Sequence, residues 1–392
     1  MRNFLSVFVL LCAAHAEAAV YEAQLVFEPT AQTPKHVHAS CIVECPNGDL
    51  MTVWYENGAP LPAPYYSGDS DKSDDVRIGG ARLRKGTADW EVPFVMVDTF
   101  GVSDNNPCMA VDRKGQLWLV HATLLGVPEN TWGSALVHYR ISGDYSGPGV
   151  PIWSREQVLI PHPAGMATAL KNALPEKIRQ KEDIDKTLEK RLKNPLELRL
   201  GWMPRAHPVE LANGTMLLPL ANENHYVVAM AMTKDDGVTW TISEAVPFAG
   251  LEQPTVTEAP DGTLLAFFRS SDDEPHIRRS ESKDGGMTWS LPTLTDLVHP
   301  FSGLEILYLD NGHLALIYND RAESRDSLAV SFSADDGTTW KWTRYLENTP
   351  GGRFDYPSLI QAKDGTLHSS YSYNLKTIKH VHFDEDWVQQ GN

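Results

Sequence analysis

One eight-residue string recurs three times, and it constrains the fold more than any other feature of the chain. It reads TKDDGVTW at 233–240, SKDGGMTW at 282–289 and SADDGTTW at 333–340, so successive copies begin 49 and 51 residues apart. A fixed period near fifty residues marks a repeat architecture, in which each unit buries its apolar face by stacking on its neighbours. In each box the Asp (235, 284, 335) is expected to accept backbone N–H groups within a tight turn. The Gly supplies an unusual φ, and the Trp (240, 289, 340) packs between units. These carboxylates are therefore read as structural.

A second mark gives the unit count. Gly48, Gly115, Gly214, Gly262, Gly312 and Gly365 each sit between apolar runs such as LMTVWY, LLAFF and LALIY. Asn-Gly and Asp-Gly between such runs signal β-hairpins, with both central residues expected at positive φ. Six hairpins predict an all-β fold, a six-bladed β-propeller of four-stranded blades. The strand near 20–27 is expected to close the ring against the last blade, with the three boxes at the periphery. GTADW at 86–90 reads as a decayed box. Residues 163–196 lose the strand pattern and become rich in Ala, Leu, Lys and Glu. This segment is read as one or two helices projecting from blade two or from its link to blade three.

Residues 1–18 combine Arg2, an apolar core and small residues at 14, 16 and 18. They read as a signal peptide ahead of a propeller over 19–392, and imply a secreted or periplasmic protein. No later stretch approaches the roughly 20 apolar residues of a membrane span. Beyond the leader stand Cys41, Cys45 and Cys108, which do not form a disulfide framework. A formal charge of −17 argues against nucleic acid as a partner. An anionic ligand would need a local arginine cluster.

Propeller sites lie where inner strands converge on the axis. Near those strands stand Glu252, Arg269 at the end of the following strand, Arg325 before a box strand, Tyr356 opening the last inner strand in DYPSL, and Asp75 after a polar loop. His36 and His38 alternate onto one strand face but lack a third ligand, so neither a metal site nor a cofactor is expected.

These residues and boxes resemble the exo-α-sialidase superfamily of six-bladed propellers, over nearly the whole mature chain. The resemblance implies a Tyr nucleophile at Tyr356, its activating Glu at Glu252, an acid/base at Asp75, and carboxylate-binding arginines at Arg269 and Arg325. A phenol of pKa ~10 needs a neighbouring base, and arginines hold carboxylates in bidentate fashion. One departure stands out. Where the family opens its first blade with Arg-Ile-Pro, this chain has HVHASCIVE, which puts His38 where the first clamp arginine is expected. His38 or Arg205, from GWMPRAHP, would then assist the clamp. The leading reading is an exo-glycosidase acting on a glycan with an acidic terminal sugar. The alternatives are a uronide-directed glycosidase or lyase that uses His38 catalytically, and a non-catalytic carbohydrate-binding propeller.

Overall fold

The structure, a computed structural model, describes residues 19–68, 70–126, 132–181, 183–271 and 274–391. The leader expected over 1–18 lies outside the described residues. Six antiparallel sheets follow one another along the chain as six blades. Blade 1 comprises Val37–Glu44, Leu50–Asn57, Val76–Leu83 and Phe94–Val97. Blade 2 comprises Ser103–Val111, Leu117–Leu124, Ala135–Ser142 and Arg155–Leu159. Blade 3 splits its inner strand into Trp202–Met203 and Val209–Glu210, followed by Met216–Asn222, Val227–Thr233 and Thr241–Ile242. Blades 4 and 5 open on Leu251–Glu258 and Glu305–Tyr308, and blade 6 on Phe354–Gln361.

The ring closes as expected. Tyr21–Leu25 pairs antiparallel with Thr377–Phe383, so blade 6 takes its outermost strand from the start of the propeller and its other three from the end. The apolar core is distributed between blades. One cluster joins blades 1, 2 and 3, another blades 3 and 4, and two more carry the packing through blades 5 and 6.

All six Gly turns join the first and second strands of a blade, and each Gly has positive φ, from +77 to +87°. The turn type differs from the expected one. In every case the Gly N–H returns to the carbonyl three residues earlier, as Gly48 does to Cys45 at 2.9 Å, and only the Gly is left-handed. This is a type I turn followed by a left-handed Gly, in which Asn or Asp caps the turn with its side chain instead of adopting positive φ.

The boxes join the third and fourth strands of blades 3, 4 and 5, on the outside of the ring. Asp284 Oδ1 accepts the Thr288 N–H at 2.9 Å, and its other oxygen accepts the Thr288 hydroxyl at 2.6 Å. Asp235 and Asp335 repeat this with Thr239 and Thr339. Trp289 is buried in the cluster between blades 3 and 4. GTADW occupies the matching place in blade 1, with Trp90 bridging back to Leu83.

The insertion forms four short helices, Met166–Asn172, Glu176–Arg179, Ile184–Arg191 and Pro195–Arg199, among the described residues. Rather than projecting, it packs Met166, Leu170, Ile184 and Leu188 against Val227, Ala245 and Ala249 of the blade 3 region. No described helix is long and apolar enough to cross a membrane.

Halfway along the axis the blades are tied by polar groups. His207 of blade 3 reaches Glu305 of blade 5 through Nδ1 at 2.6 Å and the Ile42 carbonyl of blade 1 through Nε2 at 2.7 Å. Glu305 also accepts the Leu359 N–H of blade 6 at 2.8 Å. Burial opposes charge on His207, but Cys41 and Glu305 outweigh it and hold its pKa well above the usual value. Arg205 crosses the same region.

The turns give a direct test of backbone against packing. At Gly262 an added Cβ would meet nothing within 4 Å, so Gly262→Ala carries only the left-handed penalty of about 1–2 kcal/mol. At Gly286, φ is +91° and the Cβ would stand 2.8 Å from Leu217 Cδ1. Gly286→Ala should lose measurably more stability than Gly262→Ala in urea unfolding.

Candidate active site

The first strands of four blades carry the same irregularity. Their pairing slips by one residue between His38 and Cys41, Asn105 and Cys108, Glu252 and Thr255, and Asp355 and Ser358. Inside each bulge one residue is left-handed: Ala39, Asn106, Gln253 and Tyr356, at φ 46–55°. In three of the four it precedes a proline, in NNP, EQP and DYP. A bulge breaks strand alternation and re-aims side chains. Here Asn106, Gln253 and Tyr356, with His38 and Glu252 from the preceding positions, line one cavity of about 230 Å³. Asp71, Glu223, Arg269, Arg325 and Arg353 complete its charged lining. A larger recess of about 550 Å³, at the other ends of the inner strands, is walled mainly by aliphatic residues.

Tyr356 stands at the centre of the hydrogen bonding. Its phenol oxygen accepts Gln253 Nε2 at 2.8 Å and an Arg269 Nη at 2.9 Å. The His38 ring meets the Tyr356 ring edge to face at 4.3 Å between centroids. On another side the Arg205 guanidinium lies 4.9 Å from the ring centre. Gly303 completes the seat, because a Cβ there would come 3.0 Å from Tyr356 Cδ1 and 3.1 Å from its Cα.

Arg269 and Arg325, from blades 4 and 5, converge on this cavity as expected. The other Nη of Arg269 pairs with Glu252 at 3.2 Å, and its guanidinium covers the Phe301 ring at 3.5 Å. Burial works against the Arg269 charge, but its acidic surroundings, with the Glu252 carboxylate paired to it, outweigh that. Arg325 donates to Asp355 at 2.9 Å and to the Phe301 carbonyl at 2.7 Å.

Two expected placements, those of Asp75 and Arg205, are corrected. Asp75 does not reach the cavity; it lies beside a separate recess with Asn57 and Arg77, and Asp71, four residues earlier on the same polar loop, lines the site. Arg205 is not a ligand-facing arginine. It is buried beside Tyr356 and donates to the carbonyls of Pro357 at 2.8 Å and Ser40 at 3.4 Å, fastening blade 3 to blades 6 and 1. The third guanidinium at the cavity is Arg353 of blade 6. Glu252 does not bond the phenol directly, because Arg269 takes one nitrogen to each.

His38 faces the cavity, with Nδ1 2.9 Å from the Ser372 hydroxyl. It is no substitute cation. Burial pushes its pKa well below the usual value, and the Asp355 carboxylate only partly offsets this. Two carboxyls are shifted the other way. Glu223 is pushed up to about 8 by burial and by the charge of Glu252, which keeps it protonated at neutral pH. Glu252 is raised by burial, with Arg269 opposing. Asp71, Glu223, Gln253 and Arg353 are not found by strand periodicity; the shared residue-Pro step of the bulges is the signal that singles out Asn106 and Gln253 beside Tyr356. No described residue of the helical insertion lines the cavity.

The model of the BNR repeat-like domain matches residues 60–369. The chain belongs to the BNR repeat-like family. A curated sialidase of Micromonospora viridifaciens is 27% identical over 171 residues, covering 41% of this chain and 26% of that protein. The chain thus matches about a quarter of that sialidase's length. Among solved structures, a Dyadobacter fermentans protein of unknown function aligns with TM-score 0.70 at 17% identity, over 94% of this chain and 98% of its own. A Hadza microbial sialidase aligns at 0.69 and 16%, over 93% of this chain and 69% of its own. At such identities these likenesses concern the fold. The sequence relatives and the six blades place this BNR-family propeller in the sialidase superfamily.

The seat of Tyr356 yields a prediction. Gly303→Ala should displace the phenol from Gln253 and Arg269, weakening ligand binding in the cavity, while the outer blades keep their packing. Titration of the variant beside its melting temperature checks this. A variant that binds like the parent would show that the close approach is not needed.

Proposed function

We propose that this BNR-family propeller is an exo-acting glycoside hydrolase that removes a terminal acidic sugar, with Tyr356 as nucleophile. The observation that carries the reading is the phenol oxygen of Tyr356, aimed into a charged cavity by a left-handed bulge and held by Gln253 and Arg269. The sialidases among its relatives support the reaction class. With the leader read from the sequence, the protein would act in the secreted or periplasmic space.

In the first step the Tyr356 oxygen attacks the anomeric carbon as the bond to the leaving oxygen breaks. Asp71, in place of Asp75, gives the leaving oxygen its proton, and the phenolic proton passes to Glu252. The carboxylate and the phenol oxygen are held by two nitrogens of one guanidinium, so a small swing of Glu252 brings them together. Such contacts are often long before substrate binds. In the second step water gives a proton to Asp71 and attacks the same carbon, and Tyr356 leaves, recovering its proton from Glu252. A neutral phenol also approaches an anionic sugar without the repulsion that a carboxylate nucleophile would meet.

Two variants test the assignment. Tyr356→Phe should abolish turnover and leave binding near normal, since only a transition-state role is lost. His38→Ala should mainly raise KM, because a neutral His38 here shapes the cavity. A fall in kcat of ~10²–10⁴ would instead make His38 the acid/base, and an ultraviolet-absorbing unsaturated product would identify a lyase. Wild-type binding without any turnover would point to a carbohydrate-binding propeller.

A further inference from the structure

Arg325 and Arg353 share one buried carboxylate. Asp355 Oδ1 accepts Arg325 at 2.9 Å, and Oδ2 accepts Arg353 Nε at 2.5 Å. Asp355 is fully buried, so it cannot move away from the pair. Two guanidiniums are therefore held side by side with a net positive charge. Among the described residues no acceptor meets the Nη atoms of Arg353, whose side chain is 51% exposed. An oxyanion is the natural partner of a prealigned guanidinium pair. Blade 6 thereby supplies the cation that His38 does not.

The rest of the cavity limits what can carry that anion. At about 230 Å³ it falls below the ~300–1,000 Å³ of pockets that take drug-sized ligands. Trp132 and Met203 border it, but the surface that the described lining presents is almost entirely polar. Ring hydroxyls are satisfied by such a lining. An acylamino arm is not: its methyl group would strip water from polar groups without replacing their hydrogen bonds.

We propose that the ligand is a sugar acid without an acylamino arm, its anionic group held by Arg325 and Arg353 and its hydroxyls by the polar lining. This rests on the acidic-sugar reading of the site and narrows it. A hexuronic acid and a deaminated ketosugar acid share this chemistry.

The test is calorimetric titration of the full-length protein with methyl thioglycosides, which resist cleavage. The probes are both anomers of glucuronic acid, N-acetylneuraminic acid, and the deaminated counterpart bearing a hydroxyl in place of the acetamide. At least one unacylated acid should bind ~10-fold or more tighter than the acetamido acid. Tightest binding by the glucuronide assigns a hexuronate; tightest binding by the deaminated acid assigns a ketosugar acid. Arg353→Ala should weaken the tightest probe by ~10–100-fold; because Asp355 loses one of its two partners the melting temperature falls, so binding is compared well below the variant's unfolding transition. Equal or tighter binding of N-acetylneuraminic acid overturns the proposal, as does no binding of any probe or an unaffected Arg353→Ala variant. Selective binding without cleavage of the matching oxygen glycosides would sink the hydrolase reading and leave this assignment standing.

Discussion

The site depends on a backbone conformation that its residues resist. A non-glycine residue at positive φ costs about 1–2 kcal/mol, and the residue before a proline ordinarily prefers an extended conformation. Asn106, Gln253 and Tyr356 meet both conditions, and Ala39 the first. A single propeller strand could not hold such a bulge. Each of these strands is paired to a second strand within its blade and packed against the inner strands of neighbouring blades, which over-determines the backbone. The result is one side chain per bulge turned out of the strand's regular alternation. Repetition around the ring brings those side chains to one place.

Electrostatics follow from the same geometry. The chain carries a formal charge of −17, yet three arginines face one cavity. Each is anchored: Arg269 by Glu252, and Arg325 and Arg353 by Asp355. Anchoring removes side-chain freedom before any ligand arrives, so less ordering is left to binding. Charge is also graded across the site. His38 is kept neutral by burial, Glu223 is protonated at neutral pH, and Asp355 stays ionised because the Arg325 and Arg353 guanidiniums offset its burial. Carboxyls whose environments push their protonation apart can serve opposite roles within a few ångströms.

The propeller was legible in the sequence because its signals are local and repeated. Each Gly turn needs one left-handed residue and each box one Asp–Thr bridge, so both motifs fall where the sequence puts them, although the turn type does not. Ring closure by 20–27 was readable too, since a four-stranded last blade lacks its own outer strand. The site was legible only in part. Tyr356, Glu252, Arg269 and Arg325, singled out in the sequence beside inner strands, all reach the cavity. Asp71 and Asp75 lie on one polar loop, where no periodicity tells which carboxylate turns inward. Arg205 and Arg353 both sit near the axis, and only the local fold decides that one fastens blades while the other faces the cavity. The bulges hid Gln253, because alternation assigns faces correctly only while the register holds. The helical insertion carried an apolar stripe whose partner, blade 3, could not be read from the segment itself.

The central claim is that Tyr356 forms a covalent link to the sugar. Incubation with a fluorinated acidic glycosyl fluoride, followed by peptide mass spectrometry, tests it most directly. The account predicts a one-to-one adduct that maps to Tyr356 and disappears in Tyr356→Phe. Release of fluoride by the wild-type protein with no adduct, or with an adduct on another residue, would contradict it.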